Sequence, residues 1–354
     1  MRNDLGLIID AVITWVDGND PAHRAKRMAA MAEAGLGHRS NATYETRFLD
    51  NGEIYYCIAS ILKYAPFIRH IYVVTDNQKP TKIGDFALEG ICEKGRIRIV
   101  DHKEILAGYD QAMPTFNSLT LESVLWRIEG LSDVFLYCND DFFLNAPLSP
   151  DSVIDPDGRL IGRGRARKTW PLHLKYHLRK YRARLTGRPH ISAHYKTAQV
   201  LGALMAGDSY YVELGHTGHF LRKGTFRAFF EKNPDVLEQQ VKHRFRSIAQ
   251  FLPVSLANHL ELRSGGAELL PELESCYIKP TNFSAKGLRE IARGKSQWGC
   301  VQSLDEFPPD DAQQLRQALN EKFRSHLPGT VIARSRSGAI SARPAGCDQY
   351  PKAS

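Results

Sequence analysis

Four apolar runs in the first 150 residues predict the strands of one sheet. Residues 7–16, 70–75, 97–100 and 134–138 are rich in β-branched and aromatic side chains, and an Asp or Asn follows each run closely. The runs are nearly continuous rather than alternating, which is typical of strands that are covered on both faces. The pattern therefore predicts a mostly parallel sheet.

Helices are predicted between these strands. Residues 53–64 follow a cap at Asp50 or Asn51 and end before Pro66, and residues 119–129 form a second helical segment. Strands that alternate with helices indicate a doubly wound, Rossmann-like α/β fold, with helical additions in the rest of the chain.

Two more helical patterns lie in the second half of the chain. Residues 225–251 look helical but are interrupted at Pro234. Residues 310–327 place apolar side chains at steps of four, as an amphipathic helix does. Beyond about residue 333 the sequence turns polar and aperiodic, which predicts a disordered tail.

Acidic or amide side chains follow all four predicted strands. They are Asp17, Asp76, Asp101 and the run Asn139-Asp140-Asp141. Sheets of this kind bind ligands beyond the carboxyl ends of their strands, so these side chains are expected to line one rim. The Asp140-Asp141 pair has two interpretations. It is either a turn that closes the strand, or a site for Mg²⁺ or Mn²⁺, which take a few carboxylates together with phosphate oxygens.

Charge and cysteine content narrow the choice of partner and compartment. The net charge of +8 favours anionic partners such as phosphorylated sugars, anionic lipid or nucleic acid. The cysteines are scattered without a C-x-x-C pair, which disfavours a zinc site and favours a reducing compartment. The N-terminus lacks the apolar region of a secretory leader, and no run approaches a membrane span. We expect a cytoplasmic protein, with a peripheral place at the inner face of the membrane left open.

The segment 159–207 contains no acidic residue and many Arg and Lys. It is either a solvated basic helix or a contact site for an anionic glycan or a membrane surface. Aromatic residues interleave the charges, but no nucleic-acid-binding module surrounds them, so no nucleic acid partner is expected. His173/His177 and His190/His194 have a helical spacing that suits a metal, but the surrounding positive charge disfavours one.

Two other candidates for chemistry follow this segment. His216 stands between glycines in an aromatic and apolar region, and is either a general base or an ordinary histidine. Arg244 and Arg246 lie two apart in a cationic cluster that either holds phosphate or is a solvated charge run. The chain has no P-loop, G-x-G-x-x-G or G-x-S-x-G motif, which disfavours P-loop, nicotinamide and serine-hydrolase chemistry.

Several of these segments resemble one family. IDAVITWVDGND, residues 9–20, resembles the first region of the Stealth proteins. These are bacterial capsular-polysaccharide phosphotransferases related to the lysosomal-enzyme N-acetylglucosamine-1-phosphotransferase of animals. Residues 47–80 and 114–144 resemble the second region, residues 215–247 the third, and about 298–328 the last. Gly218 departs from the pattern, since the family usually has a proline there.

The resemblance implies a GT-A-like nucleotide-sugar fold and a reaction. A hexose or N-acetylhexosamine 1-phosphate would pass from a UDP-sugar to a hydroxyl of a saccharide acceptor, and UMP would be released in capsule or other cell-surface polysaccharide synthesis. The implied catalytic residues are His216 as base, Asp141, Arg246 and Glu122. The implied metal site is Asp141, the preferred ligand, with Asp140. Substrate binding is expected of Asp17, Asp76, Asn117, Arg47, Asn51 and Arg244.

Two other functions stay open. One is an ordinary metal-dependent glycosyltransferase that releases UDP, and the other is a non-catalytic anion-binding protein. With the transferase prediction, the chain is divided into a nucleotide-sugar-binding α/β half (6–150), a basic helical insertion (151–210), a second part of the same catalytic domain with the histidine loop and C-terminal helix (211–330), and a tail (331–354).

Overall fold

The computed structural model describes residues 7–36, 48–187 and 194–336. Its strands are β1 (Ile9–Thr14), β2 (Ile68–Thr75), β3 (Ile97–Asp101), β4 (Val134–Asn139), β5 (Phe142–Leu144), β6 (Leu160–Arg163), β7 (Arg165–Lys168), β8 (Tyr210–Glu213), β9 (His219–Arg222), β10 (Ala267–Leu270), β11 (Ser275–Ile278) and β12 (Trp298–Val301).

Its helices are α1 (Pro21–Glu33), α2 (Glu53–Tyr64), α3 (Asp85–Leu88), α4 (His102–Ile105), α5 (Ser118–Glu122), α6 (Trp170–Leu185), α7 (Tyr195–Met205), α8 (Lys223–Lys232), α9 (Pro234–Val241), α10 (Pro253–Ser264), α11 (Ala285–Arg293), α12 (Pro309–Phe323) and α13 (Gly329–Arg336). None of the helices in these ranges is long and apolar enough to cross a membrane.

A five-stranded sheet forms the centre of the molecule, with the strand order β3-β2-β1-β4-β9. The pairs among β1 to β4 are parallel, and β9 is antiparallel to β4. Successive β1 residues face opposite sides: Ile13 lies in one buried cluster and Val12 in another. Both faces of the sheet are therefore covered, and the predicted α/β fold with a mostly parallel sheet is confirmed.

The order of the strands indicates at which edge of this sheet a ligand would bind. The chain builds outward from β1 through β2 to β3, and then returns to the other side of β1 with β4. Thr14 at the end of β1 is level with Val74 of β2 and with Asn139 of β4. The loops after these strands consequently leave from one edge, at the reversal point where open α/β sheets bind ligands.

Later parts of the chain close around this edge. Strand β5, which follows Asp141 directly, pairs with β12 in a second sheet of order β11-β12-β5. Strand β9 extends the central sheet next to β4. Two further strand pairs, β10-β6 and β7-β8, lie in and around the basic segment, where the sequence predicts helices only. The elements on both sides of residue 141 are thus fixed by segments far along the chain.

Helix α2 matches the predicted range 53–64, but its cap differs from the prediction. Gly52, with a φ of 88°, is the N-cap, and as a glycine it has no side chain to make a capping bond. Instead, Asp50 accepts a hydrogen bond from the backbone N–H of Gly52, and Glu53 accepts one from Asn51. The acids of this loop thus stabilise its backbone turn.

The helix predicted for residues 119–129 is wrong beyond its first turns, because α5 ends at Glu122. The Ser123 hydroxyl donates to the carbonyl of Leu119, and the Trp126 indole donates to the carbonyl of Ser123. Val124 then has a φ of −123°, which is not helical. Side-chain hydrogen bonds of this kind compete with the helical ladder and end it.

The helix predicted for residues 225–251 is confirmed only to Val241, with α8 and α9 divided at Pro234 as expected. The remaining residues form a loop whose carbonyls are used by other segments. The carbonyl of His243 accepts hydrogen bonds from Asn117 and Thr120, and Gln250 donates to the carbonyl of Gln240. These tertiary bonds replace the helical bonds and hold the loop against the start of α5.

Candidate active site

Asp140 and Asp141 lie in the turn between β4 and β5, at the rim of the central sheet. Both side chains are half-buried. The backbone carbonyl of Asp141 accepts a hydrogen bond from Val301, and its side-chain Oδ2 lies 3.4 Å from the Sγ of Cys300. Strand β12 therefore anchors the backbone of Asp141, and the carboxylate of Asp141 lies at the rim of the sheet.

This rim is crowded with carboxylates. Burial raises the pKa of Asp141 to about 6, and the Cys300 thiol opposes the rise. The pKa of Asp140 lies well above its ordinary range because of burial and the charges of Asp141, Glu53 and Asp50. Burial and, to a lesser extent, the negative charge of Asp50 raise the pKa of Glu53 to about 8. Within the described residues, the negative charges of these clustered carboxylates are therefore not balanced by nearby cations.

The donor set suits a hard divalent cation. Among the described residues, no group of three or more His, Cys, Asp or Glu side chains converges as a complete metal site. Mg²⁺ does not need one, because it usually binds one or two protein carboxylates and takes its other ligands from water and phosphate. The oxygens of Asp140 and Asp141 fit that kind of site, and their mutual repulsion would fall when a cation is bound.

The imidazole of His216 lies between aromatic rings. It stacks on Tyr277 of β11, with ring centroids 4.5 Å apart and planes at 5°. Tyr195, the first residue of α7, stacks at 5.7 Å and 20°, and Phe142 presents its edge at 6.5 Å. Burial and the charge of Lys279 lower the pKa of His216 below its ordinary value. The ring is therefore fixed in orientation and neutral at neutral pH.

His216 and Asp141 belong to one site. Phe142, which meets the edge of the histidine ring, is the residue after Asp141. Tyr277, which stacks on the face of the ring, is paired in the sheet with Cys300, the residue that contacts Asp141. His216 is thus connected to Asp141 through Phe142 and through the Tyr277–Cys300 pair, although His216 and Asp141 are far apart in the chain.

A second charged group lies next to this one. The guanidinium of Arg246 donates a hydrogen bond of 2.7 Å to the hydroxyl of Ser118. Burial raises the pKa of Glu122 to about 7, against the opposing charge of Arg246. Oε2 of Glu122 is buried and has no hydrogen-bond partner in the described structure. An unpaired oxygen of this kind is an expected feature of a ligand-binding group.

Tyr195 joins the two charged groups. Its ring stacks on His216, and its pKa is raised by burial and by the charge of Glu122, with Arg246 acting in the opposite sense. Burial and the charge of Glu122 also raise the pKa of Tyr137. The Tyr137 hydroxyl donates a hydrogen bond to the side chain of Asn139 at the rim. The structure thus brings together the predicted catalytic set of His216, Asp141, Glu122 and Arg246.

The two predicted substrate-binding acids lie at the same edge of the sheet. Asp17 follows β1, and its side chain accepts a hydrogen bond from the backbone of Asn19. Gln78, in the loop after β2, bonds to the backbone N–H and carbonyl of Asp17. Asp76 is buried and forms a salt bridge of 3.2 Å with Lys26 of α1. The loops after β1 and β2 are therefore tied to each other and to α1.

The other predicted substrate-binding residues have structural contacts. Asn117 is the N-cap of α5, and its amide donates to His243 and Gln250. Arg244 forms a salt bridge with Glu33, at 2.7 Å. The backbone carbonyl of Asn51 accepts a hydrogen bond from Arg316. Arg47 and the tail beyond residue 336 lie outside the described residues.

Gly218 sets the path of the loop that carries His216. A Cβ atom at this position would lie 2.4 Å from the ring of Trp298 and 2.8 Å from Leu136. Such distances are far below normal contact, so a side chain here would displace the loop or the indole. The close approach of Trp298 and Leu136 explains why a glycine fits this position.

Five residues of the site are not predicted by the sequence. Tyr195, Tyr277 and Cys300 approach the site only through tertiary pairing, and no local pattern marks them. Asp50 and Glu53 could have been found from the sequence, since Asp50 precedes Asn51 directly and Glu53 follows it by two residues. Their position near Asp140 follows from the packing of α2 against β5.

Two family models match the chain. Residues 9–35 match conserved region 1 of the Stealth proteins, and residues 47–160 match conserved region 2. The family predicted from the sequence motifs is thus confirmed for these two regions of the chain. The similarity of residues 215–247 and 298–328 to the later regions stays a prediction.

Relatives carry the names of phosphotransferases. The chain is 41% identical over 328 residues to exopolysaccharide phosphotransferase SCO6021 of Streptomyces coelicolor, which covers 92% of this chain and 57% of that protein. It is 37% identical over 150 residues to capsular polysaccharide phosphotransferase cps1A of Actinobacillus pleuropneumoniae, which covers 42% of this chain and 39% of that protein. The chain thus spans less than two thirds of the length of these relatives.

Solved structures of two sugar transferases also align. The galactosyltransferase LgtC in complex with donor and acceptor sugar analogs gives a TM-score of 0.41 at 17% identity, over 82% of this chain and 97% of that chain. Mouse xyloside xylosyltransferase 1 gives a TM-score of 0.39 at 9% identity, over 83% and 97%. The fold described above rests on the sheet topology of the chain itself.

Proposed function

We propose that the chain transfers a hexose or N-acetylhexosamine 1-phosphate from a UDP-sugar to a hydroxyl of a saccharide acceptor. The product is a phosphodiester of a capsule or another cell-surface polysaccharide, and UMP is released. The observation that carries the proposal is the convergence of four side chains. Tyr195 stacks on His216 and lies near the charges of Glu122 and Arg246, and Asp141 is joined to His216 through Phe142 and through the Tyr277–Cys300 pair. The phosphotransferase names of the relatives support the same class of reaction.

The proposed reaction breaks one bond of the diphosphate. The acceptor oxygen attacks the phosphorus that carries the sugar, and the bond from this phosphorus to the bridging oxygen breaks. The bridging oxygen leaves as part of UMP. His216 takes the acceptor proton, and its lowered pKa supports that role because the neutral imidazole is the form that accepts a proton.

Arg246 and Glu122 act on the donor in this proposal. The guanidinium stabilises the negative charge on the transferred phosphoryl oxygens, as preorganised cations do in phosphoryl transfer. Its bond to Ser118 supports a fixed position. Glu122, with a pKa of about 7, is partly protonated at neutral pH, and its unpaired Oε2 is suited to a hydrogen bond with a donor oxygen.

Asp141, with Asp140 beside it, would hold Mg²⁺ or Mn²⁺. When bound, the cation neutralises charge on the diphosphate. The raised pKa values of the two acids support this assignment, because a crowded carboxylate cluster needs a counter-charge. Asp17 and Asp76 border the donor from the neighbouring strands of the same rim.

The identity of the released nucleotide tests the proposal. The protein is incubated with UDP-N-acetylglucosamine, a saccharide acceptor and Mg²⁺, and the nucleotides are separated. UMP that accumulates with the acceptor product supports phosphotransfer. UDP would instead support a glycosyltransferase, and binding without turnover would support an anion-binding protein.

Paired variants connect turnover to the site. His216→Ala and Arg246→Ala are each expected to lower kcat by about a hundredfold or more, the usual effect of losing a base or an oxyanion-stabilising group. His326→Ala, in the segment between α12 and α13, is the matched control and keeps full activity. Unchanged thermal unfolding separates lost chemistry from lost folding. Near-native activity of His216→Ala would remove it as the base.

A further inference from the structure

Helix α6 presents large apolar side chains to solvent. Five of them are exposed to between 54% and 68%: Trp170, Leu174, Leu178, Tyr181 and Leu185. They follow one another at steps of four, four, three and four residues, which is the spacing of one face of a helix. We call these five residues the α6 stripe. Isolated exposed apolar residues are ordinary, but a contiguous stripe on one helix marks an interaction surface.

The α6 stripe is not needed for the packing of the protein itself. The opposite face of α6 contains the buried Tyr176 and the half-buried Leu172. Leu172 packs on a buried cluster that includes Val200 and Ala203 of α7. The helix is therefore attached to the protein by one face, while the stripe faces outward.

Basic side chains border both edges of the stripe. At about 100° per residue, Lys175 and Arg182 lie along one edge, and His177 and Arg184 lie along the other. All four are exposed, and no acidic residue occurs from 159 to 207. In the described part of the chain, none of these side chains forms a salt bridge. The positive charges of Lys175, Arg182 and Arg184 remain available to an anionic surface.

We propose that α6 lies in the headgroup boundary of a bilayer that contains anionic phospholipid, with the α6 stripe inserted toward the acyl chains. Aliphatic residues between an outward Trp and Tyr, bordered by cations on both sides, have the composition of an interfacial helix. Lys and Arg at the edges reach phosphate while their methylene stems cover apolar surface. A soluble glycan or nucleic acid would use the charges but would leave five apolar side chains in water.

This surface is connected to the candidate active site. Helix α7 packs against α6, and its first residue, Tyr195, stacks on His216. A bilayer bound to α6 would therefore be linked to the candidate active site through α7.

Vesicle flotation tests the proposal. The full chain is mixed with vesicles of phosphatidylcholine alone, or of equal parts phosphatidylcholine and phosphatidylglycerol. We expect binding to the second kind only, weakened by added salt because exposed charges are screened. Leu174→Ser combined with Leu178→Ser should lower the partition coefficient by about tenfold, and Arg182→Glu should also lower it. Brominated acyl chains should quench Trp170, and Trp170→Phe should abolish that quenching.

Matched substitutions elsewhere control for general effects. Leu88→Ser removes another exposed leucine (83% exposed), and Lys94→Glu reverses another exposed charge. Both should bind vesicles as the parent does. Three outcomes would overturn the proposal: no binding by the parent, unchanged binding by the leucine pair, or an equal effect of the controls. A stripe that instead mediates dimers, or binds soluble heparin or RNA but not vesicles, would overturn it too.

Discussion

The imidazole of His216 and the phenol ring of Tyr277 are stacked, with centroids 4.5 Å apart and planes within 5° of parallel. His216 lies in the loop before β9 of the central sheet, and Tyr277 belongs to β11 of the second sheet. The stack therefore fixes the histidine across the junction between the central sheet and the second sheet. A ring held in this way keeps its two nitrogens within one plane.

Truncation of Tyr277 should impair positioning of the histidine. Stacked aromatic pairs contribute about 0.5–1.5 kcal/mol beyond burial. If all of this energy serves to position His216 for the reaction, its loss lowers the rate by up to about tenfold. We predict that Tyr277→Ala lowers kcat by about tenfold, while Tyr277→Phe, which keeps the ring, stays within about twofold of the parent. Steady-state release of nucleotide measures both variants. Equal activity of the alanine and phenylalanine variants would contradict a positioning role.

Glu122 should make stability depend on pH. Its pKa is about 7 in the folded protein against an ordinary value of 4.5, so the folded state holds this proton more tightly than the unfolded state. The stabilising contribution is therefore present below about pH 4.5 and is lost as the pH rises through 7. Between about pH 5 and pH 8 the parent should lose on the order of 2–3 kcal/mol that Glu122→Gln does not lose.

Urea unfolding of the two proteins at both pH values measures this difference. Other groups titrate in both proteins, such as the buried His102 with a pKa lowered by burial to about 4, and they cancel in the comparison. Identical pH dependence in the parent and in Glu122→Gln would contradict a raised pKa at Glu122.

Gly218 should tolerate no side chain. Since a Cβ atom would lie 2.4 Å from the Trp298 ring, Gly218→Ala is expected to destabilise the protein by about 1–3 kcal/mol, the usual cost of overpacking. Gly84→Ala is the control, because nothing lies within 4 Å of its Cβ position and its φ is −68°. Denaturant midpoints of both variants give the comparison. A stable Gly218→Ala protein with full activity would show that the loop adjusts freely.

Asp141 should dominate binding of a divalent cation. We predict that Asp141→Asn weakens Mn²⁺ binding by at least about tenfold, since one negative charge and one ligand are lost together. Asp151→Asn, which removes an exposed carboxylate elsewhere, should leave the affinity unchanged. Electron paramagnetic resonance of free Mn²⁺ measures binding without relying on turnover. Equal affinity in the two variants would remove Asp141 as the ligand.

Four of the five strands of the central sheet were predictable because their signals are local, whereas the antiparallel β9 was not predicted. Apolar runs with following acids give β1 to β4, and the alternation with helices gives their parallel order. The range of α2 was predictable from its apolar face and Pro66. The end of α5 was not, because the hydrogen bonds of Ser123 and Trp126 outcompete a sequence that otherwise looks helical.

The polar residues of the site were predictable from the sequence, but the aromatic residues that pack around His216 were not. Asp141 follows a strand and His216 stands in a glycine-rich loop, so both carry a local signal. Tyr195 and Tyr277 reach His216 through helix and sheet packing, which no single segment encodes. Interpretation of the 159–207 segment was limited in the same way. Its charge was visible in the sequence, but the exposure of the α6 stripe depends on which face packs against α7.

The bond that breaks in the donor is the most direct test of the proposed function. UDP-N-acetylglucosamine labelled with ¹⁸O in the bond between C1 of the sugar and phosphorus is incubated with acceptor and Mg²⁺, and the products are followed by ³¹P NMR. We predict a phosphodiester signal that retains the label, together with unlabelled UMP. Labelled UDP without a phosphodiester signal would show that the sugar carbon, not the phosphorus, is attacked, and would contradict sugar-1-phosphate transfer.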